Sequence, residues 1–309
     1  MLLIGFCMAE DIPVHIDKRL MRRAFEHAAH TYDQAAVLQR EVNHRMLARL
    51  DWVKIKPDCV LDAGAGTGMG ARALAHRFPH ARVLGLDIAH AMLQVARDAD
   101  PWWKRSLPFL TGNLPHYIGG DLSRLPLKTS SINLLWSNLA LQWCDDLPAA
   151  FSEFQRVLAP GGLLMFSTFG PDTLRELRQA FSGIDGHTHV NRFVDMHDIG
   201  DQLLYAGFST PVMDMDMLTL TYPDVHALLR ELKAIGAHNV TSGRGHGLMG
   251  KRKWQSMLQR YEQLRREGRL PATFEVVYGH AWVNEKKPKL ADGKQIIEFK
   301  IQARQMGLR

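Results

Sequence analysis

Gly64, Gly66, Gly68 and Gly70 crowd the stretch VLDAGAGTGMG, Val60 to Gly70, directly behind a short apolar run. A loop of this kind, leaving a strand and opening a helix, turns its backbone N–H groups toward a bound phosphate or adenosine. Gly64, Gly66 and Gly68 permit tight turning and let a ligand approach the backbone closely. Gly68 is followed by Met69 and Gly70 rather than by the Lys-Ser/Thr pair that meets a terminal phosphate, which disfavours nucleotide hydrolysis. Asp62, inside the motif, would repel a pyrophosphate and is placed to orient the loop or to meet a cationic ligand. Asp87 closes the next strand about twenty residues on, the place for an acid that hydrogen-bonds ribose hydroxyls. Asp121, in GGDLSRLP, is placed to accept from an adenine amine with Leu122 against the ring, while Met92 and the Asn138 of SNLALQW complete the rim. Acids at three consecutive strand ends around a glycine loop indicate S-adenosylmethionine as the ligand.

Such residues need a scaffold that brings strand ends to one edge, and the apolar pattern supplies it. CVLDAG is a short strand, the glycine loop opens a helix closed by Pro79, ARVLGLD is a second strand, and HAMLQVARDA is a second helix. HYIGGD is a weaker third strand and SINLLWSN a fourth; Leu147 to Leu158 is an amphipathic helix ended by Pro160-Gly161-Gly162. LLMFSTF is a fifth strand, continuously apolar as expected of one buried on both faces. This alternation predicts an α/β fold with a parallel sheet and right-handed crossovers.

Ahead of the core, residues 17–50 place apolar residues three and four apart and read as helical, a lid over the ligand. Beyond it, DMDM at 214–217 alternates like a strand, acids outward and methionines inward. TYPDVHALLRELKAIGAHN and KWQSMLQRYEQLRREG read as helices, and TSGRGHGLMGKRK as a mobile connector. The expected organisation is a disordered extension over 1–16, a lid over 17–50, a core over 51–222, a helical insertion over 223–270, a last strand over 271–283 and a basic flexible tail over 284–309.

Composition narrows the class. With 46% hydrophobic and 23% charged residues, the 309-residue chain has ample material for a buried core. Cys7, Cys59 and Cys144 form no C-x-x-C pair, which fits a reducing cytoplasm better than a disulfide framework. No run approaches the roughly 18 apolar residues of a membrane span, and no membrane partner is expected. The apolar start lacks a basic n-region and a cleavage site, so Met1–Cys7 reads as an extension with Met8 the working start. Of the net charge of +6, +4 lies from Asn284 onward, where seven Lys or Arg meet three Asp or Glu. The body is near neutral and lacks the basic-aromatic interleaving of a nucleic-acid interface, so no nucleic-acid partner is expected.

Together, LDAGAGTG, the Asp87 strand end, GDLSRLPL, SNLALQWCDD and LAPGGLLMFSTFGPDTLRELRQAF resemble class I methyltransferases. More narrowly, with FEHAAHTYDQAAVLQREV, HVNRFVDMHDIGDQLLYAGF and LKAIGAHNVTSGRGHGLMGKRKW, they resemble the malonyl-acyl-carrier-protein O-methyltransferases of biotin synthesis, over roughly Arg22 to Val283. The resemblance implies a Rossmann-like fold with a mostly parallel seven-stranded sheet. It also implies transfer of a methyl group from S-adenosylmethionine to the free carboxylate of a malonyl thioester. That oxygen is already ionised near pH 7, so positioning without a general base suffices. Tyr32 on the lid and Trp143 after the fourth strand are the expected positioning residues. An acidic acyl carrier protein is the implied transient partner, with Lys233, Arg244, Lys251, Arg252 and Lys253 as the candidate basic face and Arg22 and Arg23 next. His187 and His189 form H-T-H without a third ligand, so no metal is expected. Two alternatives stay open: a methyltransferase of this fold acting on a small quinone or aconitate-like acid, and a methyltransferase-like assembly factor of respiratory complex I.

Overall fold

A computed structural model describes residues 15–99 and 114–284, apart from His238, His246 and Leu248. Most of the expected N-terminal extension and the basic tail lie outside the described residues. His15 and Ile16, expected within that extension, belong to the fold: Ile16 bridges Thr241, and its N–H donates to Asp145 Oδ1 at 2.9 Å.

The lid is three helices rather than one. They are α1 (Lys18–Ala28), α2 (Tyr32–Ala35) and α3 (Val37–Leu50), interrupted at Ala29–Thr31 and Ala36. Asp17 caps α1, its side chain accepting from the N–H groups of Arg19 and Leu20. The core then alternates β1 (Cys59–Ala63), α4 (Met69–Arg77), β2 (Arg82–Asp87), α5 (His90–Asp98), β3 (His116–Gly119) and β4 (Ile132–Asn138). It continues with α6 (Leu147–Val157), β5 (Leu158–Phe169), α7 (Arg175–Phe181), α8 (Met196–Tyr205) and β6 (Phe208–Tyr222). Helices α9 (Val225–Ala234) and α10 (Lys251–Glu262) form the insertion before β7 (Leu270–Val283). Pro160-Gly161-Gly162, expected to separate helix from strand, falls inside β5, whose pairing with β4 begins at Leu158.

The seven strands are ordered β3-β2-β1-β4-β5-β7-β6, with β7 antiparallel to both neighbours. The order reverses between β1 and β4, and the crevice outside that switch point is where ligands of open α/β sheets bind. One apolar layer joins α3, α4, α7 and both insertion helices to one face of the sheet through Leu74, Trp136, Leu177, Leu228 and Met257. A second joins α6 and α8 to the other face through Phe151, Phe154, Phe166 and Leu203. The doubly covered sheet explains why β4 and β5 read as nearly unbroken apolar runs.

The alternation at 214–217 departs from the expected one in part: Asp214 is exposed as expected, but so are both methionines, and Asp216 is drawn in. Met215 and Met217 are 40% and 41% exposed. Asp214 and Asp216 both turn toward α3, where Arg49 Nη2 donates to both and Arg45 Nη1 to Asp216. Arg49 also lies over the Tyr278 ring, 3.8 Å from its centroid. Opposite charges on the packed helix decide which face of the edge strand is covered.

Candidate active site

The glycine loop runs from β1 into α4, as its sequence requires. Gly64, Gly66 and Gly68 all have positive φ, at 85°, 53° and 82°. A Cβ on Gly64 would stand 2.3 Å from that of Ala140, whereas one on Gly66 would meet no protein atom within 4 Å. Gly64 is therefore needed by the packing, and Gly66 faces open space. The loop is pinned by Asp87, whose Oδ2 accepts from the Gly66 N–H at 2.9 Å while Oδ1 accepts from the Ala89 N–H at 2.8 Å. Burial, only partly offset by these backbone donors, raises the Asp87 carboxyl above its ordinary value.

Asp62 is 2% exposed and does not line the cavity. A Cβ on Gly70 would lie 2.7 Å from its Oδ2, which places the carboxyl beneath the start of α4 and makes Asp62 the residue that orients the loop from below. Burial pushes it up to about 7 against the Ala71 N–H, with the Asp87 charge adding to the rise. The folded chain thus holds a proton that the unfolded chain releases near 3.8. The stability so gained is complete below the lower value and is lost as pH rises through the higher. Asp62→Asn cannot ionise, so its melting temperature, followed from pH 5 to pH 8, is expected to fall by several degrees less than that of the wild type. Parallel curves would mean that folded Asp62 is already ionised.

A single cavity of about 390 Å³ follows the carboxyl edge of the sheet. Asp121 and Leu122 line it after β3, Asp87 and Met92 after β2, Gly64 and Gly66 after β1, and Asn138 at the end of β4. Gly68 lies outside this wall. Tyr32 and Trp143 line the cavity from above. Burial first, then the Asp87 and Asp33 carboxylates, raise the Tyr32 phenol well beyond its ordinary value, so it stays a proton donor. Trp143 packs edge-on against Phe25 of α1, with ring centroids 5.2 Å apart.

Several contributors were not legible in the sequence. Lys18 Nζ donates to Asp121 Oδ2 at 2.8 Å and to Ser123 Oγ at 2.8 Å. Asp121, expected to meet an adenine amine directly, therefore shares its carboxylate with the lid. Burial works against its charge, but Lys18 and Ser123 hold the carboxyl below the usual range. Glu26 of α1 accepts from the N–H groups of His90 and Ala91, both at 2.8 Å, and caps α5, which has no side-chain cap of its own. Thr67 Oγ1 donates to Asp33 Oδ1 at 2.5 Å, tying α2 to the glycine loop. Leu139 has φ 48°, a conformation costly for a branched side chain, and its N–H donates to Ser167 O and Oγ. Cys144, also on the cavity wall, is pushed up to about 12 by burial and stays a thiol.

The candidate carrier face lies apart. Arg244, Lys251, Arg252 and Lys253 line a second cavity of about 620 Å³ that shares His189 and Asn239 with the first. Lys251–Lys253, expected partly in a mobile connector, form the first turn of α10. Lys233 lines the first cavity instead. His189 is held by Asp185 at 2.8 Å and stacks on Phe181, so it serves the packing of this loop.

The glycine loop, acids at consecutive strand ends and a sheet with one antiparallel strand next to its edge define a class I S-adenosylmethionine-dependent methyltransferase. The same fold occurs in a putative methyltransferase from Bacillus halodurans, with a TM-score of 0.54, 16% identity and coverage of 78% of this chain and 98% of that one. Residues 61–166 match a family model described as a methyltransferase domain. The malonyl-[acyl-carrier protein] O-methyltransferase of Gallionella capsiferriformans is 57% identical over 93% of this chain and 98% of its own length. That of Laribacter hongkongensis is 55% identical over 92% and 96%. The chain belongs to the malonyl-[acyl-carrier protein] O-methyltransferase family. Among the described residues, no helix is long and apolar enough to cross a membrane.

Proposed function

We propose that the protein methylates the free carboxylate of a malonyl group tethered to acyl carrier protein. The observation that carries this reading is the continuity of one cavity along the sheet edge. Its β3-β2-β1 part offers Asp121, Asp87 and the Gly64–Gly66 backbone; its β5-β7-β6 part is walled by Phe169, Phe274 and Leu220. The first part fits S-adenosylmethionine. Gly66 leaves the space a Cβ would fill, and the Asp87 carboxylate, held by the backbone N–H groups of Gly66, Ala89 and Ile88, keeps acceptor capacity for a ribose hydroxyl. When bound, that molecule supplies a sulfonium methyl, which becomes a methyl ester as the C–S bond breaks and sulfur keeps the electron pair.

The protein's residues need supply no base, because the acceptor oxygen is already ionised. Asn138 sits at the end of β4, between the two parts, held by Ser167 Oγ at 2.9 Å and by its own donation to the Gln39 carbonyl at 3.1 Å. The lid residues Tyr32 and Phe25 cover the cavity and exclude water from the transfer. The apolar second part accepts the acyl end, and the basic first turn of α10 faces the acidic carrier.

The test is incubation with methyl-labelled S-adenosylmethionine and malonyl-carrier protein. Label is expected in a base-labile ester on the carrier; label on free malonate or another small acid but not on the carrier would overturn the reading. Arg252→Glu with Lys253→Glu is expected to raise KM for malonyl-carrier several-fold and leave cofactor affinity intact. That difference should shrink with salt, since exposed charges are screened over about 10 Å at 0.1 M. An equal loss on malonyl-coenzyme A, which lacks the acidic helix, would remove the carrier contact from this face.

A further inference from the structure

Four cations, Arg244 and Lys251 to Lys253, line the second cavity beside a single carboxylate, Asp185. That acid is already committed. His189 Nε2 lies 2.8 Å from its Oδ1, which also accepts from the His187 N–H, and Lys253 Nζ is 4.0 Å from its Oδ2. Arg244 and Lys251 have no carboxylate partner among the described residues. Arg244 is half-buried, and its Nη1 donates to the Thr241 carbonyl at 3.0 Å. That bond fixes the guanidinium and leaves its other N–H groups for a ligand; a fixed, planar fork of donors matches the oxygens of a phosphate. The chain around these cations is glycine-rich, GRGHGLMGK, and a Cβ on Gly247 or Gly250 would meet no described atom within 4 Å. The backbone there is open to a ligand.

The two cavities meet at His189 and Asn239, which line both. The junction is held rigidly. Asn239 Nδ2 donates to the Thr188 carbonyl, and its Oδ1 accepts from the Thr241 N–H at 3.1 Å and hydroxyl at 2.7 Å. An apolar cavity joined to a cationic one suits a long ligand with an anionic group at one end only. A carrier protein presents its acyl group on such a ligand: a phosphopantetheine arm, with the thioester at its tip and a phosphodiester at its root.

We propose that the second cavity is the phosphate subsite for this arm, with Arg244 and Lys251 holding the phosphodiester while the acyl end passes Asn239 into the first cavity. Coenzyme A carries the same arm and phosphate, so the subsite serves both thioesters, whereas the acidic surface of the carrier is offered by the carrier alone. The inference rests on the malonyl reading above.

The experiment compares malonyl-carrier, malonyl-coenzyme A and malonyl-pantetheine, which lacks the phosphate, on Arg244→Gln, Lys251→Gln and the double variant. The double variant is expected to raise KM about tenfold for both phosphate-bearing thioesters, by the same factor, and each single variant about threefold. Turnover of malonyl-pantetheine, already poor in the wild type, should fall no further, and Lys251→Arg should restore the wild-type KM. The dissociation constant for S-adenosylmethionine should stay within about twofold. A loss confined to malonyl-carrier would assign these residues to the carrier's surface and overturn the proposal. An equal loss on malonyl-pantetheine would make them structural and overturn it too, as would an unchanged KM. Calorimetry with 4′-phosphopantetheine and with pantetheine tests the subsite without turnover. The wild type should bind the phosphorylated arm about tenfold more tightly, and the double variant should lose that preference. Equal affinity for the two arms would overturn the subsite, whereas a wild type that methylates no malonyl thioester would overturn the malonyl reading itself.

Discussion

Gly66→Val is expected to abolish cofactor binding while leaving the protein folded. The backbone there has φ 53°, and an added Cβ meets no protein atom within 4 Å because it points into the cavity. A valine side chain would occupy the space over the loop and would strain a left-handed backbone by about 1–2 kcal/mol. The first effect should weaken S-adenosylmethionine binding more than about a hundredfold; the second should cost only a few degrees of melting temperature. Gly64→Val provides the contrast. Its Cβ would lie 2.3 Å from that of Ala140, so that variant should fail to fold rather than merely fail to bind. Calorimetry and circular dichroism on the pair separate the roles. Wild-type affinity in folded Gly66→Val would take the ligand away from this loop.

The difference between these two glycines was beyond the sequence, where both belong to one motif. What the motif did carry was local: a strand, a positive-φ turn, a helix start and an acid one strand further on, all within a short span of chain. The α/β alternation was legible for the same reason, since β4 and β5 are buried on both faces and announce it in their composition. The exposed methionines of β6 were not legible. Met215 and Met217 look like core residues until Arg45 and Arg49, more than 160 positions earlier, claim the intervening acids. The lid contacts failed to show for a similar reason. Glu26 caps a helix 64 residues away and Lys18 meets an acid 103 residues away, and neither pairing leaves a periodic trace.

Asp87→Ala should lower S-adenosylmethionine affinity by about 1.5–3 kcal/mol, the worth of hydrogen bonds to an ionised acceptor. That corresponds to roughly ten- to a hundredfold or slightly more. Two roles are merged in this number, because the carboxylate also holds the N–H groups of Gly66 and Ala89. A double-mutant cycle with a 2′,3′-dideoxyribose analogue of S-adenosylhomocysteine separates them. If Asp87 meets the ribose, removing the hydroxyls weakens binding to the wild type and has little further effect on the variant. Strictly additive losses would confine Asp87 to ordering the loop. The pH dependence offers an independent check with a definite sign. Burial raises the Asp87 carboxyl in the free protein, and ribose hydroxyls that donate to it favour its ionised form. Binding then releases a proton, so affinity rises with pH from the ordinary carboxylate range up to the raised value and is flat above it. Asp87→Ala should remove Asp87's share of that rise. Titrations in two buffers of different ionisation enthalpy count the protons directly. A wild type that releases none below pH 7 would show that Asp87 is ionised before the ligand arrives.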